Sequence, residues 1–186
     1  MATYTLFSQQ ATGGHNDSDT TSQTLGVDFT VSTNVALTGI WQWSASGCTA
    51  LPSTCAIWNV GTGLVVAGTQ NNSPSWSGAA GSGWVKCSYD GSITLSSGIT
   101  YTAATWNGAT GGAQWYGITA TWWTGSITNG PLSCINQPDV YTEPAATFLR
   151  PASLFGNYNI WIDVEVADIT PPPPNVPNFT AFMSSM

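Results

Sequence analysis

An antiparallel all-β sandwich is the fold class this sequence predicts, on three observations. Two stretches alternate with a period of two. Leu25, Val27, Phe29 and Val31 stand against Thr24, Gly26, Asp28 and Thr30, and Ile160, Ile162, Val164 and Val166 stand against Trp161, Asp163 and Glu165. That period sends one set to each face of a pleated strand, so each stretch reads as a half-buried strand. Turn residues recur every few positions between the other apolar runs, the spacing of a sandwich or barrel. No segment sustains a period of 3.6, so helices are not expected. Jelly-roll-like and immunoglobulin-like arrangements both satisfy the pattern.

Residues 4–8 read as a short first strand, and residues 9–21, with Gly13-Gly14 and Asn16-Asp17-Ser18-Asp19, as a loop into the first long strand at 22–31. In the next strand, over 35–44, the alternation breaks. Leu37 and Ile40 share a face only if the backbone adds a residue, so a β-bulge is expected near Gly39. Residues 56–60 and 64–70 form a hairpin about Gly61-Thr62-Gly63, followed by a Ser/Asn/Gly-rich loop to Ser82. Residues 84–89, 93–95 and 100–106 are short strands parted by Asp90-Gly91 and Ser96-Ser97-Gly98, where glycine supplies the positive φ of a tight turn. Residues 107–144 are rich in Gly, Thr and Trp and weakly patterned, with one or two strands expected about 115–121. Residues 148–157 lead to the closing strand. At Thr170 the composition changes to Pro171-Pro172-Pro173-Pro174, a stiff spacer, and then to an uncharged segment carrying Phe179, Phe182 and Met183. The expected division is a sandwich domain over 1–169 and a spacer with an anchoring tail over 170–186.

The 186 residues allow a single core. Charged residues make up 6% of the chain, against about 25% in ordinary soluble proteins, so solvation falls to Ser, Thr, Asn, Gln and Gly. Lys86 and Arg150 are the only basic residues in a chain of formal charge −7, which argues against nucleic acid or an anionic membrane as partner. No segment reaches the roughly 20 apolar residues of a membrane span, and the N-terminal residues lack the basic and apolar regions of a signal peptide. Synthesis in a cytoplasm without a signal peptide is the expectation.

Four cysteines allow three pairings. Cys48 and Cys55 flank a turn-like Thr-Ala-Leu-Pro-Ser-Thr, where adjacent strands can bring the sulfurs together. Cys87 and Cys134 either pair or stay buried as thiols, and four reduced core cysteines are the alternative. No Cys-x-x-Cys occurs, and neither a metal nor another cofactor is expected. His15 lies in a polar loop, and no Gly-x-Ser-x-Gly elbow exists for it to serve. Asp17, Asp19 and Asp28 offer hard oxygens but lack the spacing and closing Glu of a calcium loop, so they read as ordinary carboxylates. Asp163 and Glu165 stand about 7 Å apart along one strand face, a glycosidase-like separation. Their neighbours give no sign of burial, so they read as two exposed carboxylates, and no catalytic residue is expected. The ten tryptophans are the strongest signal. Trp115, Tyr116, Trp122 and Trp123 sit among Gly, Gln and Thr, where flat rings can stack on sugars. The alternative is that they fill the core or a subunit interface. Trp41, Trp43, Trp58 and Trp84 lie on strands and read as structural.

Several short motifs occur together and in order: Thr24-Leu25-Gly26-Val27-Asp28-Phe29, Leu37-Thr38-Gly39-Ile40, Ala56-Ile57-Trp58-Asn59 with Gly63-Leu64-Val65, Ser82-Gly83-Trp84-Val85, Ile99-Thr100-Tyr101 with Thr105, and Tyr158-Asn159-Ile160-Trp161-Ile162-Asp163-Val164. Over residues 23–166 this pattern resembles the family of domains of unknown function numbered four thousand and eighty-two, found in bacterial surface and secreted proteins. The resemblance implies a β-sandwich similar to carbohydrate-binding or adhesion modules, with no catalytic residue to carry over. The expected function is a non-enzymatic structural protein of a bacteriophage virion, a capsid decoration or tail-surface protein. It would be oligomeric and held to a neighbouring subunit through Phe179, Phe182 and Met183, with a host-surface glycan as a further partner. An extracellular or cell-surface bacterial carbohydrate-binding or adhesion module is the alternative, and a glycan-degrading enzyme a distant third.

Overall fold

The structure, a computed structural model, describes residues 1–7, 14–108 and 111–169, and among these every helix or strand assigned is a strand. In chain order they are β1 (Thr3–Thr5), β2 (His15–Asn16), β3 (Thr24–Val31), β4 (Val35–Ser44), β5 (Thr54–Asn59), β6 (Leu64–Val65), β7 (Gly83–Ser88), β8 (Thr94–Leu95), β9 (Thr100–Trp106), β10 (Gly117–Ala120), β11 (Ile127–Asn129), β12 (Leu132–Cys134), β13 (Asp139–Thr142), β14 (Ser153–Leu154), β15 (Tyr158–Asn159) and β16 (Ile162–Asp168). The expected spacer and tail, with Phe179, Phe182 and Met183, lie outside the described residues.

Two antiparallel sheets face each other across one core. In the first, β16 lies between β1 and β4, and β7 and β8 share the far edge of β4. In the second, β3 has β9 on one side, followed by β5 and β6, while β12 and β13 divide its other edge between them. A small third sheet runs β15, β10, β2. The apolar sets of both alternating stretches meet in the core: Leu25, Val27, Phe29 and Val31 pack with Ile162, Val164 and Val166, together with Leu37 and Ile40. Each such side chain contributes about 1.5–3 kcal/mol by leaving water.

The bulge in β4 lies where the broken alternation requires one. Glu165 pairs with Gly39 but Val166 with Leu37, so Thr38 is the extra residue and both Leu37 and Ile40 reach the core. On the other face Thr38 Oγ1 donates to Glu165 Oε1 at 2.8 Å, Lys86 Nζ approaches the same oxygen at 2.5 Å, and Trp41 Nε1 donates to Oε2 at 3.1 Å. Burial by itself would raise the Glu165 carboxyl, but the donors, Lys86 foremost, hold it below its ordinary range.

The expectation of two exposed carboxylates on β16 is therefore corrected, most sharply at Asp163. That side chain is fully buried. Its Oδ1 accepts from the Leu6 and Val164 amides at 2.8 and 2.7 Å, and its Oδ2 from the Phe7 amide at 2.8 Å. The cause is β1, which pairs along β16 as far as Thr5 opposite Glu165, so that residues 6 and 7 continue over the Asp163 position.

The outer face of the second sheet is also covered. Phe148 meets Trp58 edge-on at 5.6 Å and stacks on Trp106 at 6.2 Å, and Arg150 reaches Asp28 at 3.5 Å and Thr102 Oγ1 at 3.2 Å. Gly26 is needed beneath this segment, because a Cβ there would stand 2.7 Å from Thr102 Cγ2 and 3.0 Å from Pro151 Cγ. The hairpin of β5 and β6 forms as expected, but its second arm stops at Val65. Beyond it the Thr69 hydroxyl takes the place of the ladder, accepting from the Ile57 amide at 3.0 Å and bonding its carbonyl at 3.1 Å.

All four cysteines are buried free thiols, and the Cys48–Cys55 bridge allowed by the spacing is not formed. The two sulfurs serve different neighbourhoods. Cys48 donates to Asn16 Oδ1 at 3.2 Å, whereas Cys55 lies 3.6 Å from the Tyr89 hydroxyl and close to Cys87 of the opposite sheet.

Candidate functional site

The four aromatic residues singled out in the sequence divide three to one. Trp115 and Tyr116 are buried, edge-on to each other at 5.2 Å, and the Trp115 carbonyl accepts from Gln42 Nε2 at 3.1 Å. Gln42 Oε1 in turn accepts from Thr105 Oγ1 at 2.8 Å, tying this segment to both sheets from inside. Trp123 is buried too. Its indole N–H is shared between Asp139 Oδ2 at 2.6 Å and the Tyr158 carbonyl at 2.8 Å, and its ring lies 5.8 Å from Phe7. Burial drives the Asp139 carboxyl well above its ordinary range, against the opposing hydrogen bond from Trp123. These three rings belong to the core, the alternative that their composition had left open.

Trp122 points the other way. Strand β10 ends at Ala120, the φ of +54° at Thr121 turns the chain, and Trp122 comes out 39% exposed with its ring 4.6 Å from the buried Trp161. With Trp123, Thr124, Gly125, Ser126 and Ile127 it borders an open cleft of about 520 Å³.

A second cleft, of about 310 Å³, is built by pairings distant in sequence. Pairing of β2 with β10 sets Asp17 beside Tyr116, whose hydroxyl donates to Asp17 Oδ2 at 2.8 Å. Pairing of β13 with the start of β3 places Glu143, just past β13, beside Gln23. Gln23 Nε2 donates to Asp19 Oδ2 and, at 3.2 Å, to Glu143 Oε2. Asp17 and Asp19 are fixed by accepting from the amides of Asp19 and Thr21 at 2.9 and 2.8 Å. Tyr141, Leu154 and Phe155 complete the wall. Burial, then the Asp17 carboxylate, push the Tyr116 hydroxyl up, so it stays a protonated donor.

The sequence had paired Asp17 and Asp19 with Asp28, but Asp28 faces Arg150 elsewhere. Gln23 and Glu143, which complete the cleft, carried no signal in spacing. Among the described residues no three His, Cys, Asp or Glu side chains converge closely enough to hold a metal ion. His15 is exposed on β2.

No curated protein matches the chain. Residues 9–162 match the family described as Domain of unknown function (DUF4082), a stretch that takes in β2 to β15, the first residue of β16 and both clefts. The chain belongs to that family of domains of unknown function.

Proposed function

We propose that this chain is a non-enzymatic, adhesion-type binding module that takes a sugar ring on Trp122. The observation that carries the reading is the exposed Trp122 ring, held in place by Trp161 behind it and set at the edge of a cleft whose Thr124, Ser126 and Gly125 offer hydroxyl and backbone groups. A ring fixed in advance loses little side-chain freedom when a sugar stacks on it. The non-enzymatic reading is supported by the engagement of Asp163 with three backbone amides and of Glu165 with Lys86, Thr38 and Trp41. Wild type and Trp122→Ala on a glycan array test the proposal. The substitution is expected to abolish the signal while the melting temperature stays within a few degrees, and an undiminished signal refutes it.

As to setting, the proposal is the surface of a bacteriophage particle, as a capsid decoration or tail-surface protein, with a bacterial cell surface as the alternative. The sequence past the sandwich supports it. Four consecutive prolines supply no ladder donor, and the uncharged segment with Phe179, Phe182 and Met183 is apolar enough to dock on a neighbouring subunit. Deleting residues 175–186 is expected to prevent incorporation into particles, and unchanged incorporation refutes the anchoring role.

A further inference from the structure

We propose that Cys55 and Cys87 are a redox-active pair, a modification site at which a peroxide oxidises two buried thiols to a disulfide that ties the facing sheets together. The pair is independent of the sugar-binding reading. Cys55 lies on β5 of the second sheet and Cys87 on β7 of the first, and both are buried. One short segment of chain is held to the backbone of both. Asn71 exchanges two backbone hydrogen bonds with Cys55, at 2.9 and 3.0 Å, and a little further on Trp76 bridges to Cys87.

The side chains around the sulfurs give the two thiols different roles. Asn71 Nδ2 donates to Cys87 Sγ at 3.6 Å. The Tyr89 hydroxyl, which donates to the Thr69 carbonyl at 2.6 Å, lies 3.6 Å from Cys55 Sγ. A hydrogen bond from the Cys55 thiol foremost, with Asn71 assisting, holds Cys87 below its ordinary range, at about 7, against the burial that opposes it. The same contact pushes the Cys55 thiol up. Cys87 is therefore the thiolate nucleophile and Cys55 the partner that keeps its proton. The other two cysteines are placed differently, since Cys48 donates to Asn16 Oδ1 and burial pushes the Cys134 thiol up to about 11.

An open cleft of about 500 Å³ gives the oxidant its approach. Asn71 and Tyr89, the two side chains that touch the sulfurs, line it together with Gly68, Gln70 and Ser88. Hydrogen peroxide, little larger than water, is separated from the pair by that one layer. The Cys87 thiolate attacks one peroxide oxygen, the O–O bond breaks, and Cys87 becomes a sulfenic acid. The departing hydroxide takes up the proton that Cys87 released on ionising. The Cys55 sulfur then attacks the Cys87 sulfur, and the sulfenic oxygen leaves as water with the Cys55 proton. Two thiols and one peroxide thus give one disulfide and two waters. The bond closes the chain from residue 55 to residue 87 and so restricts the unfolded state.

Treatment of the folded full chain with hydrogen peroxide, followed by thiol counting in denaturant and peptide mass spectrometry, tests the site. Two of the four thiols are expected to disappear into a Cys55–Cys87 linked peptide that dithiothreitol reverses, at least tenfold faster than Cys48 or Cys134 is modified. In Cys55→Ala, Cys87 is expected to stop as a sulfenic acid that a cyclic diketone reagent traps. In Cys87→Ala, Cys55 is expected to remain a thiol over the same time. Retention of all four thiols in the wild type overturns the proposal, as does a cross-link to Cys48 or Cys134, or oxidation of those two as fast as the pair. Trapping at Cys55 in Cys87→Ala, with none at Cys87 in Cys55→Ala, overturns the assignment of the nucleophile.

Discussion

Replacing Asp163 by Asn tests the claim that this carboxylate is a structural clamp and not an unused catalytic group. In the native protein it accepts three backbone N–H bonds, from Leu6, Phe7 and Val164, in a fully buried position. Asparagine keeps one acceptor oxygen and turns the other into a donor. If the oxygen stays with Leu6 and Val164, the Phe7 amide faces an N–H group. Loss of that charge-assisted bond costs about 1.5–3 kcal/mol, and the orphaned amide adds about 1–3 kcal/mol. The two remaining bonds weaken as well, while removal of a buried charge offsets part of the loss. The net expectation is a destabilisation of about 2–4 kcal/mol, which for a domain of this size lowers the melting temperature by roughly 5–15 °C. Urea denaturation reads the first number, and hydrogen exchange should show faster exchange at the Leu6 and Phe7 amides. A variant within about 0.5 kcal/mol of wild type refutes the clamp. So does a stable variant that has lost turnover on a glycan.

The adjacent tryptophans make a paired test, since Trp123→Ala removes a buried ring and takes the indole donor from the Asp139 carboxyl, an expected cost of about 3–5 kcal/mol. Trp122→Ala, at an exposed position, is expected to cost about 1 kcal/mol or less, and equal losses in urea denaturation refute the assignment of one ring to core and the other to surface. Asp139 also sets a pH dependence. Because burial raises its folded-state pKa, the folded protein keeps a proton that the unfolded chain releases near pH 4, so its contribution is full below that pH and is lost as pH rises through the folded value. Asp139→Asn, with no proton to lose, should flatten the melting temperature against pH above about pH 4, and an unchanged slope refutes this.

The parts of the fold legible in the sequence are those where one face of a long strand is buried. Val35–Ser44 and Thr100–Trp106 match their expected bounds, and the bulge in β4 follows from Leu37 and Ile40 alone. Residues 107–144 were expected to hold one or two strands, and the described residues of that range hold four, β10 to β13. Strands of three or four residues have no period to read. β12 meets β3 through only Leu132 and Ser133, so its place is specified by the free edge of β3 and not by its own pattern. Asp163 shows the other limit. Alternation tells which side of β16 a residue takes, but a side faces water only if nothing covers it, and the covering residues lie at the opposite end of the chain.

The candidate sites were legible in part for the same reason. Asp17 and Asp19 stand close in sequence, and an acidic pair can be seen there, whereas Gln23 and Glu143 are 120 positions apart and join only because β13 pairs beside the start of β3. Counting aromatic residues could not separate Trp122 from Trp123 either, because neighbours with the same surroundings in sequence have opposite fates once Thr121 takes a positive φ. What separates them is the polar edge of the indole. A buried tryptophan is best placed where its N–H finds an acceptor, and Trp123 finds two, in Asp139 and the Tyr158 carbonyl. Asp139 was passed over as a site residue, yet its buried carboxyl helps to hold Trp123 inside. The consecutive residue is thereby directed outward onto Trp161, and the surface ring on which the sugar-binding reading depends owes its exposure to a polar contact in the core.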